Sequence, residues 1–281
     1  MKKKANSEAL VSVVFADYQK THIEEKNTNK IQSHNYSELL IINKGDIIYA
    51  ARGKVVRLGD RSVIYNRRDT IHNNYVQHSR LYERYRIKFR EEELLNGEEG
   101  EILRAALSSS FTKELTDESF TMIYELAKSI FNESSKPQIT ELDKSIIRTA
   151  LKLIVLSAAS ADDKGSLHGE SYISEVLKYI NGNLHQKLTI GSIAEAFFVS
   201  KGKLIYDFKT YCNMNISEYI TMERLEKAKE LLMSGCPVAE IAENCGFSSS
   251  SYFIKVFSSV VGTTPLKYRT NHFKPGAGTK E

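Results

Sequence analysis

The last third of this 281-residue chain is written twice, and that repeat limits the fold more than any other feature. Ile193-Ala194 returns as Ile241-Ala242, 48 positions on. Past the following turn the spacing becomes 49: Leu204 matches Phe253, Phe208 matches Phe257, Asn213 matches Gly262 and Tyr219 matches Tyr268. One residue is therefore inserted in the second copy's turn. Two copies of one short supersecondary unit, each with an apolar face to bury, specify a helical domain with an internal pseudo-repeat.

Each copy reads as a short helix, a tight turn, a second helix and a closing Tyr. Thr189 is placed to cap the first helix, which carries Ile193, Ala194 and Phe197. Pro237 suits the start of the equivalent helix, with Val238, Ile241 and Ala242 facing inward. The turn at Cys245-Gly246-Phe247 needs the backbone freedom of Gly246. A small Ala where the two helices cross allows close approach, which is the helix-turn-helix plan. Between the copies, Ile216, Tyr219, Ile220, Leu225, Ala228, Leu231 and Leu232 form a stripe that Gly235 and Pro237 end. A helix over residues 217–234 spans about 27 Å. That length, with the width of the flanking helices, allows one chain to reach two successive major grooves, about 34 Å apart.

The N-terminal region has a different period. "ELLIINKGDIIYAARGKVVRLGDRSVIYN" packs Ile, Val, Leu and Tyr between turn signals at Asn43-Lys44-Gly45-Asp46, Gly53 and Gly59-Asp60, which predicts an antiparallel β-barrel or sandwich. "YERYRIKF" adds a strand. After Phe89 the period turns helical. Phe120, Ile123, Tyr124, Ala127, Ile130 and Phe131 form one stripe, and Leu142, Ile146, Ile147, Ala150, Leu153, Ile154 and Leu156 form a second. The expected division is a β-barrel at 1–90, a helical cover and dimerisation segment at 91–160, and a polar linker at 161–171. A helical domain at 172–273 follows, with helix-turn-helix motifs at 190–211 and 238–261, then a tail at 274–281. The fold class is α+β.

Charge gives modest support. The chain carries 39 Lys+Arg against 35 Asp+Glu, and residues 171–281 hold 13 against 10. Weakly basic domains are common, so the placement of the charges has to decide. No run of 18 or more apolar residues exists, so no membrane span is expected. The start, "MKKKANSEALVSVVFADYQ", imitates a secretory signal, but Glu8 precedes a short apolar run and Asp17 follows it; a basic tail leading into a strand is expected. Cys212, Cys236 and Cys245 are odd in number and form no CxxC, so neither a disulfide framework nor a zinc ribbon is indicated, and reduced thiols in cytoplasm are expected.

The C-terminal hundred residues resemble the DNA-binding domain of AraC/XylS-type transcription regulators. The resemblance rests on Gly246-Phe247, Ser251-Tyr252-Phe253, Phe257, Gly262, Thr264-Pro265 and Tyr268-Arg269. In the first copy it rests on Ile193-Ala194, Ser200, Leu204, Phe208-Lys209, Tyr219, Arg224-Leu225, Ala228 and Leu231-Leu232. Tyr206 stands where that family usually has Arg, Asn213 where it has Gly, and Ser258 where it has Lys. The resemblance implies DNA contacts from Lys201, Lys203, Tyr206 and Lys209 in the first copy. In the second it implies contacts from Ser249, Ser250, Ser251, Tyr252 and Lys255, with Ser248 or Ser249 capping the helix. Leu204, Phe208, Phe253 and Phe257 are assigned to the core, and Tyr268 and Arg269 to packing and capping.

The N-terminal half resembles the cupin-type sensor domain that accompanies this family, through His34, Tyr36, Glu38, Gly45, Gly59-Asp60 and His72. A small-molecule effector is then expected in a pocket at His34, Tyr36, Glu38 and His72. Tyr36 occupies the position of a ligating histidine in the related enzymes, so no metal, cofactor or catalytic residue is assigned. The resemblance implies a cytoplasmic, ligand-responsive activator that is homodimeric, acts on double-stranded promoter DNA and works with RNA polymerase. The alternatives are a cupin-type metal-dependent enzyme and a regulator controlled by a protein partner.

Overall fold

A computed structural model describes residues 14–22, 31–77, 81–161 and 171–272. The basic start and most of the expected linker lie outside these residues. The β-rich half contributes β1 (Val14–His22), β2 (Ser37–Lys44), β3 (Ile47–Ala51), β4 (Lys54–Leu58), β5 (Ser62–Asn66), β6 (His72–Val76) and β7 (Leu81–Phe89). A 3-10 turn at Glu91–Glu93 leads to α1 (Gly100–Ala106), β8 (Phe111–Glu114), α2 (Asp117–Ser134) and α3 (Glu141–Ser160).

The strands pair antiparallel in two sheets, ordered β1-β7-β2-β5-β8 and β4-β3-β6. Among the described residues no pairing joins them into one closed barrel, so the β half is two facing sheets where a barrel was expected. β8 lies inside the stretch read as purely helical yet extends the larger sheet, pairing with β5. Its four residues are too short to show an alternation.

β2, β3 and β5 are covered on both faces, which explains their near-continuous apolar sequence. On β2, Leu39 and Ile41 join the core under the helices, whereas Leu40 and Ile42 face the space between the sheets with Ile47, Tyr49 and Ile64. On β3 the alternate residues Ile48 and Ala50 face outward, into a core shared with the C-terminal helices.

α2 and α3 pack on the larger sheet through Phe120, Ile123, Ala127 and Ile130 and through Ile147, Ala150, Leu151, Ile154 and Val155. Three residues read as part of the α3 stripe do not join this core: Leu142, Ile146 and Leu153 are exposed at 70%, 39% and 47%. One stripe faces the sheet, and these three occupy a second face.

The C-terminal region is all helical: α4 (Tyr172–Gly182), α5 (Ile190–Ala196), α6 (Lys201–Cys212), α7 (Ile216–Met233), α8 (Val238–Asn244), α9 (Ser250–Val261) and α10 (Pro265–His272). Capping fixes the starts. Thr189 forms a capping box with Ser192, Ser200 accepts from the Lys203 N–H, and Asn215 forms a box with Glu218. No helix is long and apolar enough to cross a membrane among the described residues.

The two halves meet at α4, α7 and α10. The Ile71 N–H donates to the Glu226 carboxylate, the Asn181 amide donates to the Gly53 carbonyl at 3.4 Å, and His272 Nε2 lies 3.0 Å from Asp69 Oδ2.

Candidate functional site

The two copies of the repeat share the same local features in the same order. In the first turn Phe198 takes a left-handed conformation, φ 54°, and Val199 N–H donates to Ala194 O at 3.0 Å. Forty-eight residues on, Gly246 has φ 74° and Phe247 N–H donates to Ala242 O at 2.8 Å. The next feature, the N-cap, falls at Ser200 and then at Ser249, so the inserted residue is Ser248. Both second helices end in a left-handed residue, Asn213 (φ 49°) and Gly262 (φ 77°). Phe198 accepts a conformation that disfavours side chains and is 97% exposed, whereas a Cβ at Gly246 would overlap the Leu184 carbonyl oxygen.

Leu204, Phe208 and Cys212 anchor α6 in the core, and Phe253 and Phe257 anchor α9, with Phe257 edge-on to both Phe253 and Tyr268 at 5.6 Å. The opposite faces are open. On α6 these carry Lys201, Lys203, Tyr206 and Lys209, all exposed. Lys203 is paired with Asp207 at 2.8 Å and Lys209 Nζ donates to Asn213 O at 3.0 Å. On α9, Ser251, Tyr252 and Lys255 are exposed and Ser250 is half-buried. Ser249 is the cap itself, its hydroxyl accepting from the Tyr252 N–H at 3.2 Å. Lys201 and Lys255 have no ion-pair partner among the described residues.

Sequence reasoning missed three residues on these surfaces: Phe198, Ile205 and Ile254. Ile205 and Ile254 stand at matching positions of the repeat, exposed at 46% and 39%. Their aliphatic character at helical spacing reads as core, and the repeat alignment was the signal available to reveal their equivalence. An open groove lined by His185, Lys187, Arg224, Ser249, Ser250 and Tyr252 runs beside the start of α9. Arg224 shapes it by donating to the Leu184 and Gln186 carbonyls at 3.0 and 2.8 Å.

The expected effector residues are also brought together. Glu38 (β2) and His72 (β6) are 3% and 1% exposed, and their side chains approach to 4.0 Å. His34 stacks on Tyr36 at 4.7 Å and meets the His72 ring edge-on at 5.5 Å. Burial, with His72 nearby, holds His34 down to about 4, so it is neutral; burial also lowers His72 and pushes Tyr36 up to about 12. Sequence reasoning missed the residues around them. The Asn66 amide donates to Glu38 at 3.4 Å and accepts from the Tyr49 hydroxyl at 2.8 Å, Arg86 lies 3.9 Å from Glu38, and Lys88 sits over the Tyr36 ring at 4.9 Å. These residues become neighbours only through the strand register, which sets Glu38 opposite both Asn66 and Lys88. Cys212 and Cys245 are buried, and burial pushes both thiols up, Cys245 to about 12.

A family model described as a helix-turn-helix domain matches residues 193–271. The uncharacterized HTH-type transcriptional regulator YfiF of Bacillus subtilis (strain 168) is 24% identical over 249 residues, 85% of this chain and 78% of YfiF. The DNA-binding dual transcriptional regulator Rns of Escherichia coli is 26% identical over 268 residues, 91% of this chain and 98% of Rns. The solved C-terminal domain of AraT, a response regulator from Geobacillus stearothermophilus, is 30% identical, covering 40% of this chain and 94% of that domain, with a TM-score of 0.38. YfiF and Rns are both named as transcriptional regulators. With the duplicated helix-turn-helix unit and its two open helix faces, the family match makes residues 193–271 an AraC-type helix-turn-helix domain and the chain a DNA-binding transcription regulator.

Proposed function

We propose that this chain is an effector-responsive transcription activator that sets α6 and α9 into successive major grooves of promoter DNA. The supporting observation is that both helices keep one face in the core and turn a matching face to solvent, carried by one scaffold. Positions 201, 203, 205 and 206 in the first copy correspond to 250, 252, 254 and 255 in the second. α7, 18 residues and about 27 Å long, separates the two units by a length suited to one turn of B-form DNA. Lys201, Lys203 and Tyr206 are placed for the groove and Lys209 for phosphate, and Ser249, Ser250, Ser251, Tyr252 and Lys255 form the equivalent surface of the second copy.

In this reading the two-sheet half is the cupin-like sensor, with its effector between the sheets at His34, Tyr36, Glu38 and His72. Two copies associate through the exposed face of α3, and the chain acts in the cytoplasm with RNA polymerase. Effector binding biases how the loop at residues 69–72 holds α7, and so which docked arrangement of the two motifs is populated. Selection of bound sequences from random double-stranded DNA tests this. A site with two conserved elements about one helical turn apart supports it; enrichment of no sequence, or of a single element, contradicts it.

A further inference from the structure

The open faces of α6 and α9 carry two residues that neither hydrogen bonding nor charge explains. Ile205 on α6 and Ile254 on α9 stand 49 positions apart, the spacing of the repeat, and are exposed at 46% and 39%. Neither is needed to anchor its helix. The buried face of α6 is Leu204, Phe208 and Cys212, and that of α9 is Phe253 and Phe257. A lone exposed isoleucine is ordinary on a protein surface. The same residue at both equivalent positions of a duplicated unit, on the faces turned to solvent, calls for a partner.

Helical spacing sets each isoleucine in a defined strip. Gly202, Ile205, Tyr206 and Lys209 are i, i+3, i+4 and i+7, so they adjoin on α6. The equivalent strip on α9 is Ser251, Ile254, Lys255 and Ser258. Side chains on a helix lean toward its N-terminus, so each isoleucine looks over the residue three before it. Those residues are Gly202 and Ser251, small in both copies. Gly202 has no packing reason to be glycine: its backbone is helical, and a Cβ there would meet no atom within 4 Å. Glycine weakens a helix relative to other ordinary residues. What it gives α6 is clearance in front of Ile205, where a partner surface can approach the backbone closely.

The chemistry of that partner follows. In the major groove, base edges offer hydrogen-bond donors and acceptors and one kind of apolar group, the thymine 5-methyl. An aliphatic side chain set against any other base edge strips water from polar atoms and returns no hydrogen bond. Against the thymine methyl it buries apolar surface on both sides. We propose that Ile205 and Ile254 each read a thymine 5-methyl group, and so fix one T·A pair in each element of the bound site. This rests on the reading of α6 and α9 as the helices that enter the grooves.

The test uses the full chain and a double-stranded site selected from random DNA. Each thymine is replaced singly by deoxyuridine, which keeps every hydrogen-bonding group and lacks only the 5-methyl. Wild type should lose about three- to fivefold in affinity at one thymine of each element, the effect of withholding one methyl-sized apolar contact. Ile205→Ala should abolish the response at one of these thymines and keep the other, and Ile254→Ala the reverse. Both variants should keep the wild-type circular dichroism and melting temperature, since neither side chain is buried. Gly202→Leu fills the clearance without a clash in the free chain; it should weaken DNA binding by about tenfold or more with no loss of melting temperature. Undiminished binding to every deoxyuridine site overturns the methyl reading and leaves two-groove docking standing. A response that an alanine variant retains in full overturns the assignment for that helix, and wild-type affinity in Gly202→Leu overturns the close approach at α6. Selection that enriches no sequence removes the docking itself, and this proposal with it.

Discussion

Replacing Glu223 with glutamine should stabilise the chain in mild alkali and flatten its response to pH. Glu223 lies on α7, is 6% exposed, and has one carboxylate oxygen, Oε1, without a hydrogen-bond partner. Burial pushes its carboxyl from 4.5 up to about 7; Glu226 and Glu230 add to the rise, while the Gly53 N–H and Arg52 oppose it. The folded chain therefore keeps a proton that the unfolded chain releases above about 4.5. Stability is fully present below that value, falls as pH rises toward about 7, and the loss is complete above it. A shift of that size corresponds to roughly 3 kcal/mol at full effect. Glutamine keeps the shape and removes the charge. Urea unfolding followed by far-ultraviolet circular dichroism should give variant and wild type nearly equal stability at about pH 4. The variant should be more stable by about 2–3 kcal/mol at about pH 8. A difference that stays constant across this range would refute the assignment of the cost to a buried, ionising Glu223.

Other substitutions separate core from surface. Phe257→Ala removes a ring buried against Phe253 and Tyr268 and should cost about 3–5 kcal/mol in chemical denaturation, with DNA binding lost through unfolding. Gly246→Ala forces a side chain into the left-handed turn and against Leu184 O, so it should cost at least about 1–3 kcal/mol; an unchanged midpoint would show that the loop at 184–186 yields freely. Ile146→Asp, on the exposed face of α3, should leave the melting temperature within a degree or two and convert a dimer to a monomer in light scattering. A dimer that survives places the interface elsewhere.

The helical third was legible because its pattern is local and duplicated. Ile193, Leu204, Phe208, Phe253 and Phe257 are core as their spacing requires, and Ser249 is the cap that a serine before the aromatic run suggests. The position of the inserted residue needed the structure, since only the matching N-caps at Ser200 and Ser249 identify Ser248. The β half was less legible. Its strands were visible as apolar runs between turns, but pairing into two sheets depends on contacts distant in sequence, such as β8 on β5. The same applies to the pocket. His34, Glu38 and His72 carry a visible chemistry, whereas Asn66, Arg86 and Lys88 reach them only through register. On α3, a single helical period could not divide Ile147 and Ile154, which face the sheet, from Ile146 and Leu153, which face outward.

The central claim is that one chain reads two grooves with two separate helices. Base-protection footprinting on a selected site, with wild type and two double variants, tests it directly. Wild type should protect two major-groove patches on one face of the duplex, about ten base pairs apart. Lys201→Ala with Tyr206→Ala should remove one patch, and Ser251→Ala with Lys255→Ala should remove the other while the first persists. The lysine changes should also reduce the salt dependence of binding by about one counterion each. A single protected patch, or loss of both patches together from either pair, would contradict the account.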